Sequence, residues 1–163
     1  MRTRTPATGP DPLTHGVHSS LRLPADLAVL GFVRSAIACL LTREEWPPEA
    51  ACLVLLASNE VLTNAIEHGS PVGAAVEVEL TVTEDRADLR VVDQGLPGRA
   101  LPCVPDEPPP PWSERGRGLL IISRLADELT VRPQGRGTEV NVGFLRPTAR
   151  PERRSARQAQ RAA

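Results

Sequence analysis

The strongest constraint in this 163-residue chain is a change of hydrophobic period at residues 69–71. Ahead of it, in "PADLAVLGFVRSAIACLLTR", Leu27, Leu30, Val33, Ile37, Leu40 and Leu41 recur at the three- and four-residue spacing that lines one face of a helix. A second helical run starts at about Pro48, where a proline suits the first turn, and is stopped by Gly69 and Pro71. Behind the break the period is two. "AAVEVELTVTEDRADLRVVDQG" alternates apolar and charged residues at Val76, Val78, Leu80 and Val82, turns at "EDRAD", and resumes at Leu89, Val91 and Val92. A helical period cannot serve as a strand, nor the reverse.

The remaining elements fit the same scheme. "HSSLRLP" is a candidate short first strand, "RGLLIISRLADEL" a third helix beginning at about Gly118, and "TVRPQGRGTEVNVGF" a hairpin turning at "QGRG". The order implies an α+β two-layer sandwich, with helices on one face of a mixed, mostly antiparallel sheet. Two segments fall outside it. Residues 94–117 form a loop with seven prolines, four of them consecutive, of the length seen in lids, binding loops or disordered segments. Residues 146–163 carry six Arg against one Glu and read as a solvated, disordered tail, with weak anion attraction as the lesser reading, and residues 1–17 read as a disordered tail at the other end.

Composition removes some functions. Aromatic residues are 2% of the chain and Tyr is absent, so base-stacking platforms are not expected. All 19 basic residues are Arg and the net charge is −1, which does not suit a binder of polyanions. Cys39, Cys52 and Cys103 form no CxxC pair; Cys39 and Cys52 lie in apolar helical patterns and are expected in the core. No signal peptide and no membrane span are expected, and a reducing cytoplasm fits best.

Three stretches break their local pattern. In "SNEVLTNAIEHGS", Glu60 and Asn64 stand four residues apart on one face of an otherwise oily helix. They are either a solvated face or a carboxylate base beside an amide oxygen, a donor that suits a hard cation such as Mg²⁺. In "RVVDQG", Asp93 ends an apolar strand ahead of Gly95. It either initiates a turn or offers its carboxylate to the amino group of an adenine. In "ERGRGLLIISRLADE", Gly116 and Gly118 flank Arg117 directly before a helix, near Arg115. This is either a hinge or a phosphate site at a helix N-terminus.

Taken together and in this order, "NEVLTNAIEHG", "VVDQG", "RGRGLLIISRLADE" and "GTEV" resemble the histidine-kinase-like ATPase superfamily. Within it, the chain looks most like the small bacterial anti-sigma-factor serine/threonine kinases. The resemblance spans roughly residues 18–145 and implies the Bergerat ATP-binding fold, with residues 96–115 as an ATP lid. It implies ATP and Mg²⁺ as cofactors, with Glu60 activating the attacking hydroxyl and Asn64 binding the metal. Asp93 would recognise the adenine amino group beside Gly95, and Thr138, after Gly137, would lie near the base. Gly116, Arg117, Gly118 and Leu119 would cover the phosphates.

Two activities are implied by the resemblance. One is phosphorylation of a small antagonist protein coupled to capture of a sigma factor. The other is a catalytically silent ATP-binding module that sequesters a regulator. A cytoplasmic homodimer without direct nucleic-acid or membrane contact is implied. The chain departs from many relatives in placing its next glycine at Gly98, after Leu96 and Pro97, and in its proline-rich lid. His68 matches a common family position, though a histidine at a helix end is also a natural cap or packed residue.

Overall fold

The computed structural model describes residues 16–98, 102 and 117–147. Most of the expected lid, with Gly116 and Arg115, and most of both tails lie outside the described residues.

Five strands form one sheet: β1 (Gly16–Pro24), β2 (Ala75–Thr83), β3 (Arg86–Val92), β4 (Glu128–Gln134) and β5 (Gly137–Leu145). Their order is β1-β2-β3-β5-β4 and every pairing is antiparallel. β5 therefore passes between β3 and β4, and the proline of β4, Pro133, sits on an edge strand that can tolerate it.

The period-two pattern makes this sheet one-faced. Val76, Val78, Leu80 and Val82 of β2, Ala87, Leu89 and Val91 of β3, and Val142 and Phe144 of β5 are buried. The opposite face is a charge ladder. Arg86 pairs with Asp88 at 2.7 Å and with Glu128, while Arg90 pairs with Glu79 at 3.1 Å and Glu139 at 2.8 Å. Hydrogen bonding from Arg86 holds the Glu128 carboxyl below the usual carboxylate range.

Three helices cover the apolar face: α1 (Leu30–Arg43), α2 (Pro48–Thr63) and α3 (Gly118–Leu125). Val33, Ile37 and Leu41 of α1 are buried, one side chain per turn. The first helical run, whose pattern begins at Pro24, instead opens with a separate 3₁₀ turn at Leu27–Val29, because the Asp26 carboxylate caps the Ala28 N–H at 2.9 Å. Cys39 and Cys52 are exposed, not in the core as their sequence context suggests. Cys39 falls opposite the Val33–Ile37–Leu41 stripe, so a small apolar residue there meets solvent.

α2 buries Ala50, Val54, Ala57, Ser58, Val61 and Leu62 and runs into a π-helical turn, Asn64–Gly69. Pro48–Gly69 is long and apolar enough to cross a membrane by length and composition, but here its apolar stripe forms the centre of the domain core. A π turn takes up an extra residue per turn, which re-aims the chain beyond it. α3 stops at Leu125, four residues short of the end of its helical pattern, because Asp127 joins the sheet: its N–H donates to the Gly143 carbonyl and its carboxylate accepts from Leu145 N at 2.8 Å.

Candidate functional site

Glu60 and Asn64 lie one helical turn apart on α2 and are both half-buried. Gly118 opens α3 directly against them. A Cβ at position 118 would lie 2.9 Å from the Asn64 amide nitrogen and 3.0 Å from a Glu60 carboxylate oxygen. Residues 58 positions apart in the chain are thus brought into contact, and the glycine is what lets the helix start come so close. Leu119 is partly buried and packs against the core, fixing the helix start over the pair. Arg117, exposed, precedes it as the N-cap residue.

Asp93 anchors the other half of the site. It is buried, 8% exposed, at the end of β3. Its Oδ1 accepts from Gly95 N at 3.0 Å and from Thr138 N at 2.8 Å, while Asp93 N donates to the Thr138 carbonyl at 3.0 Å. The bond to Gly95 is the turn that the Asp-x-Gly sequence signals; the bond to Thr138, 45 residues on, is not visible in the local sequence. Gly95, at φ 74°, packs on the Arg136–Gly137 backbone, and Gly137 packs on the Asp93 backbone, with no room for a Cβ at either. "VVDQG" and "GTEV" therefore interlock as one unit.

The π turn joins the two halves. It begins at Asn64 and ends at Gly69, whose Cα rests on the Asp93 side chain; an added Cβ would overlap Oδ2 and lie 2.5 Å from Cγ. Gly69 reads in sequence only as a helix stop. Its position is set by the π turn, which no periodicity announces. His68, in the same turn, is partly exposed, with Nε2 4.0 Å from a Glu67 carboxylate oxygen.

The arrangement thus places a carboxylate and an amide at one end, a buried carboxylate at the other, and the N-terminus of α3 beside the first pair. An amide oxygen and a carboxylate beside phosphates can hold a hard cation that completes its shell with water and phosphate oxygens. At Gly118 the space that a side chain would occupy is taken by the ends of Glu60 and Asn64, so the two polar groups are held against the first residue of α3. A buried acceptor in an apolar wall selects a ligand that presents a donor.

A family model for the histidine kinase-like ATPase domain matches residues 23–144. The chain belongs to this family. Two curated relatives are serine-protein kinases RsbW. The protein from Bacillus velezensis is 27% identical over 134 residues, covering 77% of this chain and 84% of the relative. The protein from Oceanobacillus iheyensis is 24% identical over 123 residues, covering 70% and 78%. Among solved structures, the RsbU and RsbW domains of a Mycobacterium tuberculosis protein superpose with a TM-score of 0.60 at 17% identity. That match covers 79% of this chain and 32% of the longer one, and it speaks for the shared fold. This histidine kinase-like ATPase domain thus has the α+β architecture that its motifs imply.

Proposed function

We propose that this chain binds ATP with Mg²⁺ and acts as a serine/threonine kinase of the anti-sigma-factor type, phosphorylating a small antagonist protein and sequestering a sigma factor. The observation that carries the reading is the approach of Gly118 to Glu60 and Asn64, which joins the two motifs expected to meet at the phosphates. The family match and the RsbW relatives support the same reading. It describes a cytoplasmic homodimer.

Each residue then has a task. Asp93 accepts from the adenine amino group; its Oδ1 is already engaged by two backbone amides, so the carboxylate cannot swing away. Thr138 and Gly95 hold that carboxylate in place. Asn64 holds Mg²⁺, which neutralises phosphate charge when bound. Gly116, Arg117, Gly118 and Leu119 supply backbone amides and one guanidinium to the phosphates. Glu60 takes the proton of the acceptor serine hydroxyl as its oxygen bonds to the γ-phosphorus and the bond to the bridging oxygen breaks, releasing ADP.

The test compares the full chain with its Glu60→Gln variant. ATP binding is measured by calorimetry with Mg²⁺, and phosphate transfer with labelled ATP to a candidate small antagonist protein. Transfer should fall by ~10²–10⁴-fold in the variant, the usual loss for a general base. ATP affinity should stay within about threefold, because removing a charge beside phosphates does not weaken their binding. Unchanged transfer removes Glu60 from the mechanism. A parent chain that captures its partner but transfers nothing is the silent module instead, and one that does not bind ATP overturns the reading entirely.

A further inference from the structure

Gly69 ends the π turn that begins at Asn64, and the chain leaves the turn extended at Ser70, φ −129° and ψ 141°. A glycine at a helix end commonly serves a left-handed backbone, which other residues adopt only at a cost. Gly69 does not: the glycines with positive φ are Gly73, Gly95, Gly98 and Gly135. Its backbone admits other residues, so the demand for glycine lies in what stands beside it. A Cβ at this position would overlap Asp93 Oδ2 and lie 2.5 Å from Cγ and 2.7 Å from Cβ of the same side chain. Asp93 cannot make way by turning. Its Oδ1 accepts from Gly95 N at 3.0 Å and Thr138 N at 2.8 Å, and a rotation about χ1 breaks both bonds while leaving the Asp93 Cβ in place. The turn cannot retreat freely either, because its Ala65 and Ile66 are buried in the core. The carboxylate is gripped from two sides, by two amides at Oδ1 and by the bare α-carbon of Gly69 beside Oδ2.

We propose that Gly69 is a positioning residue for base recognition: having no side chain, it lets the π turn close on Asp93 and holds the carboxylate in the orientation that accepts from the adenine amino group. The proposal rests on the assignment of Asp93 to adenine and adds the part of the chain that aims it. A carboxylate only accepts, so its worth in a site depends on direction. Held in place, it favours a base that presents a donor and is left unpaired by a base that presents none. Pushed aside, or turned towards water, it loses that preference. The same turn begins at Asn64, so one short segment sets both the amide assigned to the metal and the carboxylate assigned to the base.

Purine riboside triphosphate, which lacks the amino group, isolates the contact. On the full chain with Mg²⁺, calorimetry compares ATP, purine riboside triphosphate and inorganic tripolyphosphate. The parent should prefer ATP to the amino-free nucleotide by about 10- to 150-fold, the range for one charge-assisted hydrogen bond. In Gly69→Ala that ratio should collapse towards one, while tripolyphosphate affinity stays at the parent's value. An unchanged ratio in the folded variant overturns the proposal. Equal losses for all three ligands also overturn it, because general damage to the site would explain them. A parent that binds ATP without preferring it to the amino-free nucleotide defeats the Asp93 assignment itself, and this proposal with it. Should Gly69→Ala fail to fold, its effect is read in an Asp93→Gly background, where the atoms that the new Cβ meets are gone. There Gly69→Ala should not lower the melting temperature; a fall overturns the proposal, since the glycine would then serve the turn and not the carboxylate.

Discussion

Gly118→Ala separates the requirements of the fold from those of the site at a single methyl group. Position 118 is the first residue of α3 and helical, so alanine should suit the backbone better than glycine, by up to ~1 kcal/mol. The added Cβ meets the Asn64 amide at 2.9 Å and Glu60 at 3.0 Å, where ordinary van der Waals contact begins near 3.4 Å. Both neighbours are ends of flexible side chains, so they yield by about half an ångström instead of breaking the helix packing. The fold loses little, but the two groups leave the positions in which they would face phosphate and metal. Displacements of this order cost up to ~10²-fold in rates that depend on alignment. The variant should therefore melt at the parent's temperature or about 2–4 °C above it. It should bind ATP without Mg²⁺ as the parent does, and lose most of the affinity that Mg²⁺ adds. Titrating ATP calorimetrically with and without Mg²⁺ reads this directly. A variant that keeps the full Mg²⁺-dependent gain would show that Gly118 packs on Glu60 and Asn64 for structural reasons only.

Two further substitutions have defined outcomes. Asp93→Asn should weaken ATP binding by about 10- to 150-fold, the loss of a charge-assisted hydrogen bond worth ~1.5–3 kcal/mol; equal affinities in calorimetry would remove the adenine role. On the sheet's outer face, Arg86 depresses the Glu128 pKa, so that pair stabilises the fold above the carboxylate range and loses its contribution as pH falls through the depressed value. Glu128→Gln should cost no more than ~1 kcal/mol at neutral pH, since the side chain is 62% exposed and screened, and urea denaturation should show the gap closing in acid.

How much of this is legible in the sequence depends on whether the signal is local. The switch from helical to alternating period separates α2 from β2 without ambiguity, and the alternating residues of β2 and β3 occupy the faces their pattern assigns. Glu60 and Asn64 are legible because they violate an apolar stripe. Sequence and structure part where tertiary packing overrides local preference. Cys39 and Cys52 read as core because small apolar neighbours surround them, but the buried stripe is set by Val33, Ile37 and Leu41 in α1 and by Ala50, Val54, Ala57 and Val61 in α2. The pattern of α3 runs on through Leu129, because nothing local marks Asp127 as a residue that bonds β5. The π turn, and with it Gly69 and Ser70, leaves no periodic trace. The insertion of β5 between β3 and β4 is a pairing across distance, settled only by which edges remain to be filled.

That insertion also bears on the order in which the molecule can be completed during synthesis. A ribosome delivers β1, α1, α2, β2 and β3 first, and a nascent chain ending before residue 137 carries Asp93 with an edge of β3 still unpaired. The amide that fixes the Asp93 carboxylate belongs to Thr138, and β3 has no neighbour on that side until β5 emerges. The Thr138 bond to the Asp93 carboxylate is therefore among the last features to form, withheld until the C-terminal hairpin closes the gap. An incomplete chain can collapse around its helices, yet its Asp93 carboxylate is held by Gly95 without Thr138, so under the proposed reading translation itself keeps partial products from competing for nucleotide.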